Sequence, residues 1–173
     1  REISGRVALV TGGAQGFGAE IAKGLVEQGC FVYIADLNGD GAAAKCAELG
    51  RDRTHPITVN VGDEDSVAAM TAEVERTTGG LDLVISNAGI VRAGSVLEQD
   101  LAAFKLSTDI NYVAFFLVTK HLGGLLARQR ETAPGWLTDI IQINSKSGLV
   151  GSNKNGAYAG SKFGGIGLVQ SFA

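Results

Sequence analysis

A chain of 173 residues, 45% hydrophobic and 19% charged, is long enough to bury one substantial core and too apolar to stay disordered. A formal net charge of −3, with no run of Lys and Arg interleaved with aromatics, excludes a surface for the phosphate backbone of nucleic acid. The two cysteines, Cys30 and Cys46, lie far apart with no CxxC spacing or histidine cluster, which argues against a metal site or a disulfide framework and leaves both as small buried apolar residues.

Residues 1–5 carry no apolar signal segment, and no stretch approaches the roughly 18 apolar residues of a membrane span, so a cytoplasmic protein without a membrane partner is expected. Apolar, β-rich runs predict strands at residues 6–11, 31–36, 56–61, 81–86 and 139–144, each too continuous for a strand with one wet face and so read as a central parallel strand. Helical patterns lie between them at residues 16–28, 41–49, 64–77 and 101–130, with a last one from Tyr158 onward. In the first helix Ile21, Ala22, Leu25 and Val26 share a stripe opposite Glu20, Lys23 and Glu27, and Gly29 supplies the stop, as expected of a helix packed on a sheet.

This alternation predicts an α/β fold: a doubly wound parallel sheet of the Rossmann type, three layers deep, with right-handed crossovers. Ligands then belong in the loops after the strands, where strand order reverses. No repeat, linker or low-complexity tract divides the chain, so residues 1–173 are expected to form one domain. The last helix is still running at Ala173 with no stop signal, and a longer native protein is expected, with further strands of the fold beyond this point. Without them the fifth strand and last helix stay partly uncovered, and the chain alone is expected to be poorly soluble or unstable.

Directly after the first predicted strand comes Thr11-Gly12-Gly13-Ala14-Gln15-Gly16-Phe17-Gly18, and a helix follows at once. A pyrophosphate is held well at a helix N-terminus by unpaired N–H groups and the positive dipole end, but only residues without side chains let the backbone approach it, here Gly12, Gly16 and Gly18. Asp36 ends the second strand about 20 residues on, where a carboxylate accepts hydrogen bonds from ribose hydroxyls and repels a 2′-phosphate. No Arg or Lys stands beside it in Leu37-Asn38-Gly39, so NAD is the expected cofactor. After the fourth strand, Asn87-Ala88-Gly89 again offers small residues for close approach.

In Tyr158-Ala159-Gly160-Ser161-Lys162 one helical turn puts the Lys amine on the face of the phenol. An unperturbed phenol titrates near pH ~10, so a neighbouring cation is needed to favour phenolate as a base at neutral pH.

Together these motifs resemble the short-chain dehydrogenase/reductase family from Arg6 to the end of the chain. The resemblance implies Tyr158 as general acid/base, Lys162 as its activator and cofactor-ribose ligand, Ser145 as stabiliser of the substrate oxygen, and Asn111 as the residue that holds a water against the lysine. It widens the cofactor set to Gly12, Gln15, Gly16, Phe17, Gly18, Asp36, Leu37, Asn60, Val61, Asn87, Ala88 and Gly89, with Tyr158 and Lys162. Two positions depart from the pattern: Asn60 stands where the family usually has an adenine-contacting Asp, and Ser86 replaces the first Asn of Asn-Asn-Ala-Gly. An amide at residue 60 still donates and accepts, so an altered cofactor affinity at most is expected.

Residues 140–148 and 162–168 are similar to the sorbitol-6-phosphate 2-dehydrogenase branch of that family, which implies oxidation of a sugar alcohol phosphate. A phosphate needs cations, and Arg92 and Lys146 lie in loops that approach the crevice, although each also reads as a solvated surface cation. The same chemistry on an unphosphorylated polyol and a non-catalytic NAD-sensing module are the competing readings. A homodimer or homotetramer is implied by the resemblance, and the small residues of the last helix permit such close packing.

Overall fold

The β-rich runs form five parallel strands in a computed structural model, which describes residues 2–173. The strands are β1 (Val7–Thr11), β2 (Phe31–Asp36), β3 (Thr54–Thr58), β4 (Leu83–Ser86) and β5 (Asp139–Gln142). Their order across the sheet is β3-β2-β1-β4-β5, so the winding reverses between β1 and β4. Successive residues of a strand face opposite sides. Leu9 accordingly joins a core with Tyr33, Val84 and the helices α3 (Glu64–Thr78) and α5 (Ala114–Thr132). Ala8 and Val10 join another with Ile34 and the helices α1 (Gly16–Glu27) and α2 (Gly39–Leu49). Two cores on opposite faces of one parallel sheet make the doubly wound, three-layer Rossmann-type architecture expected from the sequence. Cys30 and Cys46 are free and buried in the second core.

Not all five strands are central. Among the described residues β3 and β5 are the outermost strands, and β3 begins two residues before the predicted start and ends three before the predicted end. Pro56, which cannot donate to a ladder, is tolerated because it lies on an edge strand. The β3 start is set by Thr54, whose buried hydroxyl donates to the Gly50 carbonyl at 2.7 Å. β4 starts at Leu83 rather than at residue 81; just before it the Asp82 side chain takes the Val7 N–H, Oδ2 accepting it at 2.8 Å. β5 stops at Gln142, two residues short, and Ile141 is exposed on it.

The long helix expected at residues 101–130 is three pieces: α4 (Leu101–Thr108), a π-helical turn (Asp109–Val113) and α5. By length and composition the run Leu101–Thr132 could cross a membrane, which corrects the expectation that no stretch would. Its apolar stripe is occupied by the sheet: Leu117, Val118 and Leu122 are buried in the core, each contributing about 1.5–3 kcal/mol relative to exposure. Lys120 on the outer side pairs with Glu64 of α3. The last helix, α6 (Gly156–Phe172), begins two residues before Tyr158.

Candidate active site

The carboxyl ends of β1 and β4 meet at the point where the winding reverses. The buried Thr11 joins them: its Oγ1 accepts the N–H groups of Asn87 and Ala88, each at 3.1 Å. The Asn87 amide returns the tie by donating to the carbonyls of Thr11 at 3.0 Å and Gly12 at 3.1 Å. Thr11 and its role as a clip were not legible in the sequence, since its partners lie 76 and 77 residues away.

Steric limits explain the glycines of the first loop. A Cβ on Gly12 would lie 3.0 Å from the Ala88 Cα, and one on Gly18 would lie 2.0 Å from the Gly12 carbonyl oxygen, so α1 could not seat against the loop. Gly16 has open space around it but a φ of 58°, a left-handed conformation that a side chain disfavours. The N-cap residue Gln15 makes no side-chain capping bond, and the first turn of α1 holds no acidic residue. The first N–H groups of the helix are thereby left without a side-chain partner, in the arrangement that receives a phosphate anion. Phe17 is 82% exposed beside this loop.

Asp36 is fixed by both oxygens: Oδ2 accepts the Ala14 N–H and Oδ1 the Asn38 N–H, each at 3.0 Å. Each oxygen keeps a further lone pair, so the carboxylate is oriented and still able to accept two hydroxyls. Leu37 beside it is exposed. Asn60 is exposed, and its Oδ1 accepts the Gly62 N–H of its own loop at 3.1 Å, while Val61 is buried. These residues rim the same carboxyl edge of the sheet and fit an adenosine ribose; the amide nitrogen of Asn60 is the part of it still free to donate.

The second group of residues converges around Gly89. A Cβ on Gly89 would lie 3.1 Å from Asn111 Oδ1 and 3.8 Å from Lys162 Nζ. Asn111 is buried in the π-helical turn and binds Ile90 twice, donating to its carbonyl and accepting its N–H, each at 2.8 Å. Lys162 is only 6% exposed, and its ammonium donates to the Ile143 carbonyl at 2.8 Å. Burial pushes its pKa below the ordinary lysine value. The Nζ stands 5.7 Å from the ring centre of the half-buried Tyr158, as the spacing of four residues on α6 predicts. Ser145 follows β5, and its hydroxyl accepts the Ser147 N–H at 3.1 Å to open a single 3₁₀ turn, Lys146–Gly148. The Asn144 amide links this loop to α6, donating to the Lys162 carbonyl at 3.1 Å.

Arg92 and Lys146 are both exposed, and among the described residues neither is drawn into an ion pair. A cation that the sequence reading did not single out, Lys154, lines a cavity. The cavity, of about 480 Å³, opens between the loop after β4 and the start of α6, lined by Ser95, Gln99, Leu101, Phe104, Asn153 and Lys154 among others. Lys154 is its one lining cation and, among the described residues, the one non-glycine at positive φ, 58°. Its carbonyl accepts the Gly94 N–H at 2.7 Å, which ties the two walls together.

The model of the short chain dehydrogenase family matches residues 6–173. The chain is 37% identical over 172 residues to the sorbitol-6-phosphate 2-dehydrogenase of Escherichia coli, covering 97% of this chain and 64% of that protein. It is 36% identical to 2-dehydro-3-deoxy-L-rhamnonate dehydrogenase (NAD(+)) of a Sphingomonas species, over 97% of this chain and 65% of that protein. The crystal structure of sorbitol-6-phosphate 2-dehydrogenase SrlD from Erwinia amylovora superposes with a TM-score of 0.86 at 39% identity, over 96% of this chain and 64% of that one. This chain therefore spans just under two thirds of the length of the relatives it matches. Family members are oxidoreductases that use NAD(H) or NADP(H) and act on small molecules. With its fold, glycine loop and Tyr158–Lys162 turn on the same edge of the sheet, the chain belongs to the short chain dehydrogenase family.

Proposed function

We propose that residues 1–173 form a single NAD-binding and catalytic domain of a cytoplasmic, homo-oligomeric dehydrogenase that interconverts sorbitol 6-phosphate and fructose 6-phosphate at C2. The observation that carries this reading is the convergence of Lys162, Asn111 and Gly89 beside the Tyr158 ring. The likeness to the Escherichia coli and Erwinia amylovora enzymes supports the substrate. The oriented carboxylate of Asp36, without a neighbouring cation, supports NAD over its 2′-phosphorylated form. Apolar side chains exposed on α4, α5 and α6, among them Phe104, Phe116 and Phe163, support the oligomer.

When bound, NAD supplies the hydride acceptor. In the oxidative direction the Tyr158 oxygen takes the proton of the C2 hydroxyl while the C2 hydride leaves. Ser145 donates its hydroxyl hydrogen to the same substrate oxygen and stabilises the developing charge. The Lys162 ammonium spends one N–H on the Ile143 carbonyl, and its two others remain for the ribose and for the proton path that starts at Tyr158. Asn111 anchors the loop carrying Gly89 and, with the widened π-helical turn around it, holds the water that passes the proton outward. Gly12, Gln15, Gly16, Phe17 and Gly18 receive the pyrophosphate; Asp36, Leu37, Asn60 and Val61 the adenosine; Asn87, Ala88 and Gly89 the nicotinamide ribose. Lys154 joins Arg92 and Lys146 as a cation for the substrate phosphate, and stands nearest to the cavity.

The test is NADH formation by the full-length protein with sorbitol 6-phosphate, with sorbitol, and with both for Tyr158→Phe. A phosphate-dependent rate lost in the variant is the expected result. Equal rates with the two substrates would assign the chain to unphosphorylated polyols, and NAD binding without any turnover would make it a sensor.

A further inference from the structure

Two consecutive residues after β5 hold Lys162 at both ends. The Ile143 carbonyl takes its ammonium at 2.8 Å, and the Asn144 Nδ2 donates to its main-chain carbonyl at 3.1 Å. The other end of the same amide, Oδ1, accepts the Ser145 N–H at 2.7 Å. One short side chain thus joins the backbone of the Ser145 loop to the turn of α6 that carries Tyr158 and Lys162. A carboxamide is suited to this because it presents a donor and an acceptor on one planar group; Asp offers acceptors alone when ionised, and Leu offers neither.

The surroundings are shaped around this bridge. A Cβ on Gly148 would lie 2.4 Å from Asn144 Oδ1 and 3.0 Å from the Lys162 carbonyl oxygen, so the 3₁₀ turn passes directly over the bridge and only glycine fits there. A Cβ on Gly165 would meet the Gln142 amide at 2.6 Å, which brings α6 equally close to the end of β5.

We infer that Asn144 is a positioning residue for the proposed hydride transfer: its amide sets the separation between the Ser145 hydroxyl and the Tyr158–Lys162 turn. The inference rests on the functional reading above. A misplacement of the order of 1 Å at a reacting group costs about a hundredfold in rate. The bridge lies away from the glycine loop that takes the pyrophosphate, and the one proposed cofactor contact beside it is that of Lys162 with the ribose, so its loss should fall chiefly on turnover.

The experiment uses the full-length protein as wild type, Asn144→Asp, Asn144→Ala and Gly148→Ala, with NAD affinity measured by fluorescence titration and kcat, KM and the pH profile of kcat measured for sorbitol 6-phosphate and sorbitol. Expected are a fall in kcat of about ten- to a hundredfold in all three variants, NAD affinity within about twofold of wild type, and a displaced limb of the pH profile. Full kcat in Asn144→Asp and Asn144→Ala overturns the inference and leaves the functional reading standing. Parallel loss of NAD affinity and kcat makes Asn144 a folding residue and likewise overturns it. A wild type that binds NAD and oxidises neither substrate overturns the functional reading, and the inference with it.

Discussion

Asn111 satisfies both main-chain groups of Ile90 at once, its amide donating to the carbonyl and its oxygen accepting the N–H, each at 2.8 Å. Asn111 is 4% exposed, and both groups of Ile90 lose their protein partner if the amide is removed. Asn111→Leu should therefore destabilise the fold by about 2–4 kcal/mol, less than two fully buried groups at roughly 1–3 kcal/mol each would lose, because Ile90 is half-buried. Chemical denaturation of wild type and variant checks this, and a loss below about 0.5 kcal/mol would mean that the Ile90 loop relaxes and finds other partners.

The glycines of the first loop and first helix should separate conformation from space. Gly16→Ala meets no atom within 4 Å but must adopt a φ of 58°, so it should cost about 1–2 kcal/mol through backbone strain alone. Gly24→Ala, in the interior of α1 with equally open surroundings and no positive φ, should stabilise by about 0.4–1 kcal/mol. Gly18→Ala should be the most damaging of the three, because its Cβ would stand 2.0 Å from a backbone oxygen that cannot swing aside. Thermal unfolding should place Gly24→Ala highest, Gly16→Ala below it and Gly18→Ala lowest, and NAD titration should show the loss of affinity confined to Gly16→Ala and Gly18→Ala.

Asp36 organises its loop and is proposed to take the ribose. Asp36→Ala should weaken NAD binding by about ten- to a hundredfold, the equivalent of one hydrogen bond to a charged group at about 1.5–3 kcal/mol. It should weaken NADP binding far less, since the repulsion of a 2′-phosphate goes with the carboxylate. Titration of both nucleotides decides the matter; an unchanged ratio of the two affinities would exclude Asp36 from cofactor choice.

The buried Lys162 predicts a pH dependence of stability whose sign follows from its lowered pKa. In the unfolded chain the amine keeps the ordinary value of 10.5, and in the folded chain burial brings it lower. Between those two values the unfolded state binds more protons, so stability rises with pH across that window. Below the folded value the cost of the buried charge is present in full and constant. Lys162→Met should flatten this alkaline rise while abolishing turnover. Denaturation curves at a series of pH values up to 10.5 test it; an identical rise in both proteins would assign it to other groups.

Much of the site was legible in the sequence because its parts are local. The turn from Tyr158 to Lys162 follows from a spacing of four residues, and the phosphate loop from glycines placed between a strand and a helix. The layered fold followed from the alternation of two periodicities along one chain. The ends of β3, β4 and β5 differ from those expected because composition reveals neither strand order nor which side chain lies across the sheet. Pro56 within β3 and the Asp82 side chain at the start of β4 are intelligible only from strand order and from the neighbour across the sheet.

The sequence by itself determined the fold class, the glycine cradle, the acidic end of β2 and the Tyr158–Lys162 face, since each depends on residues within one or two turns of one another. Only the tertiary structure decided the rest. The Thr11 clip spans 76 residues, the Asn111 bond to Ile90 spans 21, and the Asn144 bridge to Lys162 spans 18. Each joins polar groups far apart in the chain, and which groups meet is settled by how the sheet closes its layers rather than by any local run of residues.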